Sequence, residues 1–299
     1  MHPAGQRPGW YSYDDIADSY QKVAVPHYFA PVAERLIADL QPAPGSRLLD
    51  VGAGTAIVGT TALRKCKNVR VVAADLSLTM LRRAEGRGIS SVVADILRQP
   101  FFSRSFDVIV ASFVLNHVID CRVAVLELRR LLRPAGQLAF TSWARGPSEN
   151  ALGDAWNAVA SRWIKRDQVQ MAVTQALPSE AKLTELGELE AVVRDAGLCV
   201  TQSLIIDLPV RMSMSSYLES RCIAMTSRFM MTELNSDKWN AFKKEAAASL
   251  VSRFGESAAF STKVNMVVAQ EGRNHNEETR GHGDTGTRRG RKSLRSFGF

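Results

Sequence analysis

Cysteine is scarce in this chain of 299 residues: four are present, Cys66, Cys121, Cys199 and Cys222, and no two form a C-x-x-C pair. Such scatter argues against a zinc site and against a disulfide framework, so no metal is expected and the four read as reduced, buried side chains. Long apolar runs are also missing. The longest, around Val108 to Val118, is too short and too interrupted to cross a bilayer, and Met1 to Gly9 lacks the apolar core of a signal peptide. No membrane span and a cytoplasmic location are therefore expected. The basic stretch at the end of the chain lacks interleaved aromatics. Arg273, Arg280, Arg288, Arg289, Arg291, Lys292 and Arg295 sit there among Gly, Thr, Asn and Glu, and they hold part of the formal charge of +8. Residues 271–299 cannot build a core and are expected to be disordered. Without aromatics for bases to stack on, a nucleic-acid partner is disfavoured, although a basic tail can bind phosphates in a salt-sensitive, sequence-blind way.

One further absence is the most telling. Arg47-Leu48-Leu49-Asp50-Val51-Gly52-Ala53-Gly54-Thr55-Ala56 runs an apolar strand into an acid and two glycines, yet the third glycine of the dinucleotide fingerprint G-x-G-x-x-G would fall at Ile57. Glycines let the backbone turn sharply against a ligand, and the helix opened by the following residues aims its N–H groups at the same place. Asp50, two residues before Gly52, would repel a pyrophosphate and attract a cation. The turn suits a positively charged cofactor with no phosphate.

S-adenosylmethionine, with an ammonium and a sulfonium, is such a molecule, and the ordered motifs of this chain resemble the class I S-adenosylmethionine-dependent methyltransferases. Val71-Val72-Ala73-Ala74-Asp75-Leu76-Ser77 resembles the second strand, whose terminal acid accepts hydrogen bonds from both ribose hydroxyls. Val92-Val93-Ala94-Asp95-Ile96 resembles the third, with the acid that meets the adenine amine. Phe106 to Ser112 resembles the fourth strand, and Leu131-Leu132-Arg133-Pro134-Ala135-Gly136-Gln137-Leu138-Ala139-Phe140 the helix end, turn and fifth strand. The family pattern D-x-G-x-G-x-G has its last glycine at Ala56. At a helix start Ala is favoured over Gly by roughly 1 kcal/mol, so Ala56 is expected to be tolerated. Trp10 to Tyr20 is similar to the segment preceding the sheet in methyltransferases of ubiquinone and menaquinone biosynthesis, where a tyrosine lies over the cofactor; Tyr13 and Tyr20 match. The resemblance implies cofactor contacts from Tyr20, Asp50, Gly52, Ala53, Gly54, Asp75, Leu76, Asp95, Ile96 and Ser112, with S-adenosyl-L-homocysteine as product.

Composition fits a soluble enzyme, with 45% hydrophobic and 23% charged residues. Strands alternating with helical patterns from Arg47 to Trp143 predict an α/β, Rossmann-like, doubly wound, mostly parallel sheet with helices on both faces. Helices are expected over Tyr28 to Leu40, Thr55 to Lys67, Ser77 to Gly88, Asp120 to Leu132 and Glu185 to Ala196, with Ser77 and Asp120 as N-caps. Later strands are expected over Cys199 to Ile206 and Thr262 to Ala269; by resemblance the sheet has seven strands and the last lies antiparallel between its neighbours. The domain plan is a cap segment, 1–27, and a methyltransferase domain, 28–270. Its core is 28–146, 184–211 and 260–270. The helical insertions 147–183 and 213–254, the second read as two helices, would roof the carboxyl edge of the sheet as a lid.

The lid's aromatics and methionines, among them Trp156, Trp163, Tyr217, Phe229, Met230, Trp239 and Phe242, read either as its own packing or as the lining of an apolar acceptor pocket. Methyl transfer is an in-line displacement at a carbon already activated by positive sulfur, so orientation dominates and no catalytic triad is needed. A hydroxyl, phenol or acidic carbon would still benefit from a base. His117, after the fourth strand, is the candidate, with the alternative of a structural histidine; Tyr13, Asn116, His117 and Trp143 are candidate acceptor contacts. The N-P-P-Y-like and Pro-Cys signatures of nucleobase methylation are absent after the fourth strand, which favours a small apolar or aromatic acceptor such as a quinone precursor or natural product. An RNA or protein methyltransferase, a non-catalytic cofactor-binding protein, and a homodimer remain open.

Overall fold

A computed structural model describes residues 9–145 and 151–272. Its sheet has the order β3-β2-β1-β4-β5-β7-β6, where β1 is Arg47–Val51, β2 Arg70–Asp75, β3 Ser90–Val93, β4 Phe106–Ser112, β5 Leu132–Trp143, β6 Leu198–Ser213 and β7 Ser257–Glu271. β1 to β5 pair in parallel, and β7 is antiparallel to both β5 and β6, as the resemblance implied. The strand order runs outward from β1 to β3 on one side and from β4 to β5 on the other, so the switch point lies between β1 and β4, at the crevice beyond the strands' carboxyl ends where this class of sheet binds ligands.

Both faces of the sheet are covered because consecutive strand residues are apolar. Leu48, Val108 and Val110 face α2 (Ala30–Leu40) and α3 (Ile57–Lys65), packing with Leu36, Ile37, Val58 and Ala62. Their neighbours Leu49, Val51, Ile109 and Ala111 face α5 (Cys121–Leu131) and α9 (Leu186–Asp195), packing with Val125, Leu128, Leu189 and Val193. A strand buried on two sides reads as a continuous apolar run, which is what β1 and β4 show. The expected caps are present: Ser77 Oγ accepts from the Met80 N–H at 3.0 Å to start α4 (Leu78–Arg82), and Asp120 Oδ1 accepts from the Val123 N–H at 3.1 Å to start α5.

Several expectations are corrected. The helix expected from Tyr28 begins earlier: a single turn, α1 (Ala17–Ser19), runs into a π-helical stretch, Tyr20–Phe29, and then into α2. Pro26 lies inside the stretch and has no N–H to give an ordinary helical ladder. The last two strands are longer than expected and stay paired out to Ser213↔Ser257, forming a long hairpin. At its far end are three helices instead of two, α10 (Met214–Cys222), α11 (Met225–Glu233) and α12 (Ser236–Phe254). The insertion after β5 supplies α6 (Ala151–Ala160), α7 (Arg166–Ala176) and α8 (Glu180–Leu183). Of the cysteines only Cys121 is buried, and Cys199 is exposed. Most of the basic tail lies outside the described residues. Among those described, no helix is long and apolar enough to cross a membrane, and no cluster of metal-ligating side chains occurs.

Candidate active site at the carboxyl edge of the sheet

The glycine turn is shaped by main-chain conformation. Gly52, Gly54 and Ala56 all have positive φ, +61°, +54° and +58°. A Cβ on Gly52 would fall 2.2 Å from Val114 Cγ2, so the turn is pressed against the loop after β4 and only glycine fits. Ala56 corrects the expectation drawn from helix propensity. It does not start the helix but precedes α3 in the left-handed region, where an L side chain is disfavoured by about 1–2 kcal/mol.

Three carboxylates gather on this turn. Asp75, at the end of β2, accepts from the Gly54 N–H through Oδ2 and from the Ser77 N–H through Oδ1, each at 2.8 Å, and so clamps the turn to the β2 end. Asp50 is buried, and its Oδ2 accepts from the Gly59 N–H of α3 at 3.0 Å. It therefore points beneath the turn, and its influence on a ligand is electrostatic. Asp14 from the N-terminal segment accepts from Ser77 Oγ at 2.5 Å. Burial pushes the Asp50 carboxyl up to about 7, partly offset by the Gly59 hydrogen bond and reinforced by the charge of Asp75. Burial likewise raises Asp75, against its backbone hydrogen bonds and with the charge of Asp14 adding to the rise. Among the described residues no lysine or arginine forms an ion pair with any of the three. The site has surplus negative charge.

Tyr20 roofs the turn. A Cβ on Gly54 would sit 3.8 Å from Tyr20 Oη and Cε1, and the Tyr20 phenol is held well above its usual range, first by burial and then by the charges of Tyr13, Asp75 and Asp50. Its ring stacks on Phe29 at 5.0 Å, an arrangement set by the π-helical stretch that carries both. Leu76, beside Asp75, is 56% exposed, an apolar side chain left at the rim where a flat ring could lie. Asp95 stands exposed just beyond β3 and accepts from the Leu97 N–H at 2.9 Å, while Ile96 is buried. Ala53 is tied to β2 through the Ala74 carbonyl at 3.1 Å. Ser112 pairs with Thr141 Oγ1 at 2.8 Å, linking the ends of β4 and β5.

After Ser112 the chain turns through Phe113, whose φ is +56°, and then through the short 3-10 turn Leu115–His117. That turn presents His117 to the N-terminal segment. Tyr11 Oη lies 2.7 Å from Nδ1 and Tyr13 Oη 3.4 Å from Nε2, so both ring nitrogens face phenols. Asn116 is buried, and its Oδ1 has no hydrogen-bond partner among the described residues. Trp143 is placed in an adjoining aromatic group with Phe113 at 4.5 Å, and with Phe29 and Tyr28 each at 6.1 Å, while Tyr13 meets Tyr20 at 6.0 Å. Phe29, touching both Tyr20 and Trp143, joins the two groups.

Tyr11 and Arg228 are site residues that sequence reasoning missed. Arg228 of α11 is 4% exposed; it donates to the Ser12 carbonyl, and its guanidinium lies 5.1 Å from the centre of the Tyr13 ring. The signal that could have found it is a lone basic residue in the methionine-rich run Met225-Thr226-Ser227-Arg228-Phe229-Met230-Met231. The rest of the lid's aromatics resolve the two readings left open for them. Trp156, Met230, Trp239 and Phe242 pack with one another, with Trp163 alongside, as a core of the lid itself. Phe229 instead meets Trp10, at 5.6 Å.

Residues 49–140 match a family model described as a methyltransferase domain. Residues 49–140, which span β1 to β5, are thus a methyltransferase domain by that match. Over 123 residues the chain is 41% identical to a demethylmenaquinone methyltransferase of Mycolicibacterium paratuberculosis, covering 41% of the chain and 52% of that relative. It is 37% identical over 105 residues to the Corynebacterium urealyticum enzyme of that name, covering 35% of the chain and 45% of the relative. The match thus spans about half of these relatives. In fold, the domain is similar to a Haemonchus contortus phosphoethanolamine N-methyltransferase 2 in complex with S-adenosyl-L-methionine, with TM-score 0.53 and 15% identity over 88% of this chain and 58% of that one. It is also similar to the [4+2]-cyclase SpnF, with TM-score 0.51 and 17% identity over 87% and 94% of the two chains.

Proposed function

We propose that this chain binds S-adenosylmethionine at the glycine turn and transfers its methyl group to an O, N or C atom of a small, apolar or aromatic metabolite, such as a quinone precursor or natural product. The carrying observation is the trio Asp14, Asp50 and Asp75 around a turn roofed by Tyr20, with no cation among the described residues ion-paired to them. A ligand bearing two positive centres supplies the missing countercharge, whereas a pyrophosphate would be repelled. The donor set also fits. Each Asp75 oxygen keeps a lone pair for a ribose hydroxyl after accepting its backbone N–H, Leu76 offers an apolar face, and Asp95 stands where a base amine would arrive. When bound, the cofactor supplies an electrophilic methyl carbon.

The remaining chemistry belongs to this chain's residues. With a proton on His117 Nδ1 donated to Tyr11 Oη at 2.7 Å, the Nε2 lone pair is left facing Tyr13 at the longer 3.4 Å. An acceptor hydroxyl arriving there exchanges for the weak Tyr13 contact and gives its proton to Nε2 as the methyl bond forms. Tyr13, Asn116 and Trp143 then orient the acceptor, and the packed lid excludes water. The names of the curated relatives support a quinone-like acceptor. Calorimetric titration with S-adenosylmethionine, S-adenosylhomocysteine and NAD tests the cofactor: micromolar binding of the first two with NAD silent is expected, and silence with all three would overturn the reading. Because a cyclase shares the fold, binding must be followed by transfer of labelled methyl to an acceptor panel.

A further inference from the structure

Arg228 is a cation in an unusual position. It is 4% exposed, yet among the described residues no carboxylate forms an ion pair with it. Its hydrogen bonds go to one backbone carbonyl, that of Ser12, and to the thioether of Met225 at 3.4 Å. A thioether is a weak acceptor, and a guanidinium has five N–H groups to place in a fixed planar fork. Burial lowers its proton affinity, and the nearest negative influences, Tyr13, Asp15 and Tyr11, are phenols and an exposed aspartate. Buried charges are normally paired, because the desolvation of a lone one is costly. A buried arginine so thinly served is placed to receive an oxyanion.

Its position says which ligand would bring one. The guanidinium covers the Tyr13 ring at 5.1 Å, and the hydroxyl of that same ring lies 3.4 Å from His117 Nε2. Arg228 and the candidate base are therefore separated by a single tyrosine side chain. Trp10 and Phe229 meet edge-on beside them and give the neighbourhood apolar walls. We propose that Arg228 is a specificity-determining residue that reads a carboxylate on the methyl acceptor, so that the acceptor is an aromatic or apolar anion whose reacting atom lies one ring's width from its carboxylate. This rests on the methyltransferase reading and narrows its acceptor class. Arginine suits the task because its planar fork matches the two oxygens of a carboxylate.

The test is titration of the whole protein with benzoate and with the neutral isostere benzamide, each with and without saturating S-adenosylhomocysteine. Benzoate is expected to bind the wild type at least tenfold more tightly than benzamide. Arg228→Met is expected to abolish that preference while leaving S-adenosylhomocysteine affinity within about threefold, and Arg228→Lys to keep only part of it. Equal binding of the two probes, or binding of neither, overturns the proposal. So does an Arg228→Met protein that loses S-adenosylhomocysteine affinity and thermal stability together, since that marks a latch for the N-terminal segment. Failure of S-adenosylhomocysteine to bind the wild type, with the benzoate preference intact, would instead count against the methyltransferase reading alone.

Discussion

At the carboxyl ends of β1 and β2 the main chain does the arranging: positive φ at Gly52, Gly54 and Ala56, and carboxylates of Asp50 and Asp75 held by backbone N–H groups. The lid is held the opposite way, by side chains. Trp156 on α6 and Trp239 and Phe242 on α12 join two insertions that are far apart in the chain, and Tyr11 packs the N-terminal segment against Val173 and Leu177. A turn fixed by backbone geometry tolerates little change, whereas a lid made of packed side chains can vary on top of it. The comparison predicts that damage to one half should be readable without damage to the other.

The largest separation should come from Phe242→Ala. Phe242 is fully buried between Trp156 and Trp239, at 5.1 and 5.2 Å, and truncating it should cost about 3–5 kcal/mol of stability, seen as a lower denaturation midpoint. S-adenosylhomocysteine affinity of the folded fraction should change less than about threefold. A parallel collapse of cofactor affinity would mean that the lid, and not the turn, sets the cradle.

Asp50 sharpens the comparison from the other half. Its carboxyl is held at about 7 in the folded chain and ionises near 3.8 when unfolded. Between those values the unfolded state binds fewer protons, so stability falls as pH rises through the window, by up to about 4 kcal/mol, and levels off above about 7. Asp50→Asn should flatten that dependence in denaturation measured from pH 4 to 8. A cationic ligand should draw the carboxyl back toward its charged form, so calorimetry near pH 6.5 in buffers of different ionisation heat should show proton release on binding, absent in the variant. No difference between wild type and variant would remove Asp50 from the electrostatics of the site.

Asp75→Ala comes next, with an expected loss of about 100-fold, or about 3 kcal/mol, in S-adenosylhomocysteine affinity, because the clamp on Gly54 and Ser77 and the acceptors for a ligand go together. The denaturation midpoint should move less than for Phe242→Ala.

The same division explains what could be read from the sequence. The strands of the parallel half and the caps Ser77 and Asp120 were legible because apolar runs and cap residues act locally. Asp75, Gly54 and Tyr20 converge on one turn. The length of the hairpin was not read, although Leu208, Val210 and Met212 are buried at alternate positions there, because β6 and β7 continue beyond the sheet on pairing with each other and Pro209 interrupts the strand pattern. Nor was the allocation of the lid's aromatics, since Trp156 and Phe242 look alike in sequence whether they face each other or a ligand. Tyr11 and Arg228 acquire their meaning from contacts that span more than a hundred positions of chain.

Ala56 is the place where a local rule misled. Helix propensity favours alanine over glycine, but that preference applies to right-handed backbone, and Ala56 sits at φ +58°, ψ +42°. Ala56→Gly should therefore stabilise the folded state by about 1 kcal/mol through relief of left-handed strain, an amount reduced by the greater freedom glycine gives the unfolded chain. Cofactor affinity should stay within about twofold, because Ala56 is completely buried and faces Ala53, Ala73 and Leu81. A denaturation midpoint that falls in Ala56→Gly would show that the lost methyl contact in this small cluster outweighs the strain, and that side-chain packing, the rule of the lid, reaches into the turn as well.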